Sequence, residues 1–410
     1  MKIAMVSEYP GALAVSGGPD GADRQTVHIA DLSAALARRG HQVTVYTRRD
    51  DPGLPDRVET AHGYTVAHVP AGPPEPIPDD ELLAHMGPFA QFLDAAWAVD
   101  RPDVTHAHSW MSGIATQLAA RHLNLPAVLT FHTLGYVEPR RQGLQEAGSS
   151  DRWHLEATVA RTATWVVATC TDEISELMRM GRSRSRMSVV PCGVDLDLFN
   201  PEGPRVGRGK YRRIVSTGTL VPHNGFDVLV RALPYIRDTE LVIVSGPDIT
   251  RRDSDPEAHR LRELAERLGV ADRVRLYQRV AREDLPSILR SADVVACTPG
   301  NELLGAVSLE AMACGVPVIA SAVGALLDTV VHDVTGRLVR SSRPDKVADA
   351  VNQLLRDDFL RQSLGAAGRD RARARYSWDR IAGDTNNIYR RLAPVPVGRI
   401  GEPATSRAPG

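Results

Sequence analysis

Residues 302–319 read Glu-Leu-Leu-Gly-Ala-Val-Ser-Leu-Glu-Ala-Met-Ala-Cys-Gly-Val-Pro-Val-Ile, and their reading decides the fold. An apolar, β-rich run at 294–296 precedes them, residues 303–313 carry a helical pattern closed by Gly315, and 316–320 are again β-rich. Strand, helix and strand in such short order make a parallel βαβ unit. Two carboxylates, Glu302 and Glu310, flank Gly305 where strand gives way to helix. A helix amino terminus offers unpaired N–H groups and a partial positive charge, so the arrangement suits a phosphate-bearing ligand. Glu310, further along that helix, is placed to accept hydrogen bonds from sugar hydroxyls.

The alternation continues in both directions. In the second half, residues 214–216, 240–244 and Val274–Tyr277 read as strands, with helices at 226–233, 259–268 and 283–290. In the first half, Lys2–Ser7, 42–47, 104–107, 127–131 and Trp165–Ala168 read as strands, and 26–39, 82–99, 115–122 and 155–163 as helices. Residues 189–195 are turn-rich, and 201–210 form a linker rich in Gly, Pro and charge. The expected fold is α/β, with two doubly wound Rossmann-like domains facing a central cleft and the ligand at the carboxyl ends of the strands. Pro344–Arg356 and 358–376 read as helices, followed by a last, aromatic-studded helix through Tyr389. The expected domains are 1–195 and 196–375, with 376–393 crossing back to the first domain and 394–410 a disordered tail.

Composition narrows the function. The 410 residues hold 49 Lys and Arg against 50 Asp and Glu, a formal charge of −1. No global field therefore favours nucleic acid or an anionic membrane. Cys170, Cys192, Cys297 and Cys314 form no CxxC pair, so zinc and dithiol chemistry are poorly supported and buried thiols in a reducing cytoplasm are expected. The opening Met-Lys-Ile-Ala-Met-Val-Ser lacks a signal-peptide core, and no run approaches membrane-spanning length, so a cytoplasmic protein without a transmembrane segment is expected.

Residues 302–319 resemble the E-x7-E segment of the retaining GT-B glycosyltransferases of family four (glycosyl transferase group 1). The resemblance continues through Thr-Gly-Thr-Leu-Val-Pro-His-Asn-Gly-Phe-Asp at 217–227, Pro-Cys-Gly-Val-Asp at 191–195 and Gly336. In the first half it covers Gly17-Gly18, His-Ala-His-Ser-Trp-Met-Ser-Gly at 106–113 and Thr-Phe-His-Thr-Leu-Gly at 130–135. These motifs stand in order over nearly the whole chain. The members most similar are the sucrose-phosphate synthase-like enzymes and the mycothiol-type inositol-phosphate N-acetylglucosaminyltransferases.

The resemblance implies a metal-independent, retaining transferase with no cofactor and a nucleotide-diphosphate sugar, UDP or GDP, as co-substrate. It makes Glu302, contacting donor-sugar hydroxyls, and His108, beside that sugar, the catalytic pair. Glu310 would hold the ribose, and the amides of Leu304, Gly305 and Ala306, next to Leu303, would face the distal phosphate. Val280 would border the base, and Gly17, Gly18, Arg24, Gly218, Thr219 and Asn224 would complete the donor site. Gln25, Thr26, Trp110, His132, Thr133 and Arg152 would line the acceptor side. Read alone, His106 and Trp110 suit packing, and Arg152 with Glu156 suits a surface ion pair. No basic amphipathic face marks a lipid acceptor, so a small soluble one is expected, bound by a monomer or homodimer.

Around the phosphate the chain departs from the family pattern. Thr219 and Asn224 stand where members carry Arg and Lys, Asp23 and Arg24 replace a Gly-Gly pair, and Leu303-Leu304 replaces Pro-Phe. A helix terminus supplies about half a positive charge against roughly two negative charges on a diphosphate. Arg24 from the opposite domain and His223 are the candidate replacements. The leading expectation is a transferase of bacterial specialised metabolism with a rewired phosphate site. The alternatives are a pseudo-glycosyltransferase forming C–N or C–S bonds and a non-catalytic binding or regulatory subunit.

Overall fold

Two parallel sheets arise from the apolar runs. The computed structural model describes residues 1–9, 24–135, 150–245, 255–277, 280–340 and 343–393. Gly17, Gly18, Asp23 and the tail from 394 lie outside the described residues. The first sheet contains β1 (Lys2–Ser7), β2 (Gln42–Arg48), β3 (Arg57–Glu59), β4 (Thr65–Val69), β5 (Val104–His108), β6 (Ala127–Thr130), β7 (Trp165–Ala168) and β8 (Met187–Val189). The second contains β9 (Arg212–Thr217), β10 (Thr239–Val244), β11 (Val274–Tyr277), β12 (Val294–Cys297), β13 (Val318–Ser321) and β14 (Gly336–Val339).

The strand orders are β3-β4-β2-β1-β5-β6-β7-β8 and β11-β10-β9-β12-β13-β14. All pairings are parallel except β3 with β4. Helices cover both faces, so strands such as β1, β5 and β12 are buried almost end to end. Strand order reverses direction between β1 and β5 in one sheet and between β9 and β12 in the other. Such switch points open a crevice at the carboxyl ends of the strands. His108 ends β5, while residues 218–219 follow β9 and residues 298–305 follow β12.

Local chemistry moves several boundaries. The helix expected at 115–122 starts at Trp110, because Ser109 accepts a hydrogen bond from the Ser112 amide and caps it. The segment 82–99 splits into a 3-10 turn, Leu82–His85, and an α-helix, Met86–Val99. The last helix, Trp378–Leu392, packs against the first domain: Tyr389 Oη bonds His106 Nδ1 at 2.6 Å, and Arg39 pairs with Asp379 at 2.7 Å. His106 is fully used, since its Nε2 bonds Thr130 Oγ1 at 2.9 Å. All four cysteines are free and buried, and burial pushes the Cys170, Cys192 and Cys314 thiols up to about 12. They are protonated and inert near neutrality. No described helix is long and apolar enough to cross a membrane.

Candidate active site

The two crevices face each other across a cavity of about 330 Å³. Arg24, Gln25, His132 and Thr133 line it from the first domain. Gly218, Thr219, Asn224, Glu302, Leu303, Leu304 and Gly305 line it from the second. Most of the expected donor wall is thus assembled in one place. Thr26, His108, Trp110, Arg152, Val280, Ala306 and Glu310 stand outside the lining: Val280 is half-buried against the core, and Ala306 opens the helix behind Gly305.

The Glu302 loop differs from its sequence reading. Its helix begins at Ala306, because Glu302 Oε1 accepts from the amides of Leu304 (3.0 Å) and Gly305 (3.1 Å). Two of the amides expected to face a phosphate are therefore occupied by the chain's own carboxylate, which serves as an internal anion at the helix terminus. The Glu302 backbone carbonyl accepts from Ala325 N at 2.7 Å. That contact requires Gly324, whose φ is +49° and whose Cβ, if present, would lie 1.9 Å from the Glu302 oxygen.

Glu310 is 4% exposed. Its Oε1 pairs with Arg282 Nη1 at 3.1 Å, and its Oε2 is buried without a partner. An unpartnered buried carboxylate oxygen is costly unless a ligand hydroxyl satisfies it. Thr219 and Asn224 close a neutral turn, the Asn224 amide donating to the Thr219 carbonyl at 2.8 Å. Among the described residues that line the cavity, Arg24 supplies a guanidinium. Burial opposes its charge, but the fields of Glu310 and Glu302 outweigh burial and hold it above the ordinary Arg range. On the first-domain side, Gln25 Nε2 donates to the His108 carbonyl at 2.9 Å. Arg152 is tied to buried Glu156 at 2.9 Å and sits 6.0 Å from the Trp110 ring centre, so that pair belongs to the wall behind the cavity.

Four histidines gather beneath the first-domain wall. His108 Nδ1 and His132 Nε2 are 3.0 Å apart, and His28 packs edge-on against His132 with ring centres 4.9 Å apart. One ring nitrogen from each of His28, His108 and His132 lies within 4.8 Å of the others, a set that could hold a metal ion. The sequence shows no such cluster because the three residues come from separate segments. His108 Nδ1 and His132 Nε2 share a hydrogen bond, while the other ring nitrogens, His108 Nε2 and His132 Nδ1, are buried without a protein partner. Burial holds His28 down at about 4 and His106 at about 3, and burial with neighbouring imidazoles holds His108 and His132 well below the ordinary range.

These shifts have a defined sign. A buried neutral His binds fewer protons folded than unfolded, so its contribution is intact above about pH 6.5 and is lost as pH falls toward its folded value. Between pH 7 and pH 5, His28 should remove about 1–2 kcal/mol of stability. His28→Gln should therefore unfold with a shallower acid dependence than wild type in urea melts at the two pH values. Parallel pH profiles would refute the assignment.

Reciprocal bonds join the domains beside the Glu302 loop. Asp172, in helix Thr171–Arg179, accepts from Gly324 N at 3.0 Å, and Asp328, in helix Ala325–Thr329, accepts from Thr171 N at 2.6 Å. Neither aspartate is singled out by sequence reasoning, nor is His28. An acid in the first turn of a helix is the only local signal for Asp172. Cys297, Thr298 and Asn301 also line the cavity without a sequence signal of their own.

Comparison with known proteins bears on the whole chain. The model described as Glycosyltransferase Family 4 matches residues 25–198, and that described as Glycosyl transferases group 1 matches residues 204–371. The chain is similar to a D-inositol 3-phosphate glycosyltransferase of Xylanimonas cellulosilytica, 36% identical over 413 residues that cover 95% of this chain and 96% of the relative. It is also similar to a D-inositol 3-phosphate glycosyltransferase of Kribbella flavida, 33% identical with 95% of each chain covered. Among solved structures, the sucrose-phosphate synthase of Thermosynechococcus elongatus is similar, with a TM-score of 0.85, 30% identity and coverage of 95% of this chain and 98% of that one.

Proposed function

The chain belongs to the group 1 and family 4 glycosyltransferases, enzymes of the GT-B fold using nucleotide-sugar donors, and on that premise we propose that it transfers a sugar with retention of configuration to a small polyol phosphate of the inositol phosphate class. The observation that carries the reading is the meeting of a helix amino terminus, the Glu302 carboxylate and the Arg24 guanidinium in one interdomain cavity. The acceptor class rests on relatives over 30% identical across nearly the full chain that are named for inositol 3-phosphate. Those names lend no support to the expected role in specialised metabolism.

In this reading the donor lies against the second domain. Glu302 holds hydroxyls of the transferred sugar, and the unpartnered Glu310 Oε2 receives a ribose hydroxyl. The diphosphate approaches the start of helix Ala306–Ala313, where the dipole stabilises the charge that grows as the bond to the sugar breaks. The acceptor enters from the His132 and Thr133 side, on the face from which the diphosphate departs. The leaving phosphate oxygen takes the acceptor proton, so the protein supplies position and field rather than a strong base. Neutral His132, which lines the cavity and bonds His108 behind it, suits that role, orienting hydroxyls without adding charge. The neutral Thr219–Asn224 turn makes this phosphate site atypical.

The test is a donor panel of UDP-, GDP-, ADP- and dTDP-sugars offered with inositol phosphate or unphosphorylated inositol, the product's anomeric centre being read by NMR. An α donor should give an α product and the phosphorylated acceptor should be preferred. An inverted product, or no turnover with any donor, would sink the reading. A nitrogen- or sulfur-linked product would favour the pseudo-glycosyltransferase alternative.

A further inference from the structure

Among the described residues that line the cavity, Arg24 is the only Lys or Arg. It is the first residue of helix Arg24–Arg38, and the first turn of that helix holds no acid. A cation at a helix amino terminus opposes the helix dipole, so local preference argues against this placement. Its surroundings act through a longer-range field, that of Glu302 and Glu310 across the cleft. A charge set against its own helix, partly removed from water and aimed at a cavity, breaks the agreement between levels that sequences keep away from functional sites.

The facing wall lacks the complementary charge. The Asn224 side chain donates to the Thr219 backbone carbonyl, neither residue carries a charge, and the amides of Leu304 and Gly305 are held by Glu302. A helix terminus alone carries about half a unit of positive charge. We propose that Arg24 is the counter-cation of the donor diphosphate, supplied from the first domain to a ligand held by the second. The inference rests on the nucleotide-sugar reading above and assigns its anion contact to the opposite domain. Glu310 and Glu302 provide the field that favours the charged guanidinium at the cleft. When a diphosphate arrives it takes the guanidinium as a bidentate partner, and the same contact draws the two domains together. Anion binding and cleft closure then become one event, because neither domain alone holds the full set of partners.

The experiment titrates wild type, Arg24→Met and Arg24→Lys with UDP and GDP by calorimetry, and follows the radius of gyration by small-angle X-ray scattering with and without the nucleotide. Wild type should bind at least one diphosphate and contract. Arg24→Met should bind it about 10–100-fold more weakly and fail to contract at matched saturation. Arg24→Lys should fall between, since an ammonium supplies charge without the bidentate fork. The melting temperature of each unliganded variant reports its folding. If Arg24→Met is unstable, Arg24→Lys carries the test: weaker binding at an unchanged melting temperature supports the proposal, and undiminished binding overturns it. A wild-type chain that binds neither diphosphate overturns the nucleotide-sugar reading and this inference with it. A wild-type chain that binds, beside an Arg24→Met variant that binds and contracts equally, overturns this inference alone.

Discussion

Glu302→Gln is expected to lower kcat/KM for sugar transfer by about 10²–10³ while leaving the unliganded protein within about 1 kcal/mol of wild-type stability. The glutamine keeps an acceptor oxygen for the amides of Leu304 and Gly305, so the helix terminus stays capped. What it loses is the charge, and with it both the strong hydrogen bonds to sugar hydroxyls and the smaller of the two carboxylate fields on Arg24. Glu302→Ala separates these effects. It removes the cap, at about 0.5–2 kcal/mol, and leaves the two amides open. A free nucleoside diphosphate should then bind the alanine variant at least as tightly as wild type, because no internal carboxylate competes for the amides. Transfer should nevertheless collapse. Calorimetry with the diphosphate and initial rates with the intact donor give the two readouts. Equal loss in both would show that Glu302 acts by shaping its loop rather than by contacting the sugar.

The parts of the fold legible in the sequence are those whose burial is uniform. β1 and β7 fall on their expected bounds, and β5, β9, β10 and β12 within a residue or two, because strands covered on both faces read as apolar runs. Short or half-exposed elements leave no such trace. β3 has three residues, β14 opens on Gly336 and carries Arg337, and helix Ala325–Thr329 is too short to show a helical period. Those elements matter to the site, since the last of them carries Asp328 and follows Gly324. The site was legible where its residues are consecutive, as in 302–310. It was not where the fold gathers distant residues: His28 is one polar position on an amphipathic helix until β5 and the residues after β6 bring His108 and His132 against it. The late start of helix Ala306–Ala313 has the same origin, because an apolar pattern carries no record of where a carboxylate folds back on its own amides.

The largest stability effect is expected far from the cleft, at the amino ends of the second sheet. Arg213 on β9 and Glu240 on β10 are register partners, 2% and 3% exposed. Arg213 Nε donates to Glu240 Oε1 at 2.7 Å, Nη1 donates to Ser291 Oγ at 2.8 Å, and Nη2 donates to the Gly207 carbonyl at 3.1 Å. Arg275 on β11 reaches the second Glu240 oxygen at 2.9 Å. The charges are thus fully paired in a place where water cannot repair a loss. Arg213→Met should destabilise by about 3–5 kcal/mol, since it strands a buried carboxylate with one half-exposed partner. The double variant Arg213→Met/Glu240→Leu should recover most of that loss, because the cost lies in the unpaired charge and not in the absence of the pair. Urea unfolding followed by the second-domain transition measures both, and transfer activity measured well below that transition should be unchanged. A single variant within about 1 kcal/mol of wild type would mean that Arg275 and relaxation of the sheet edge already neutralise Glu240. A double variant as unstable as the single would place the stabilisation in the hydrogen bonds to Ser291 and Gly207, which no apolar residue at 213 can replace.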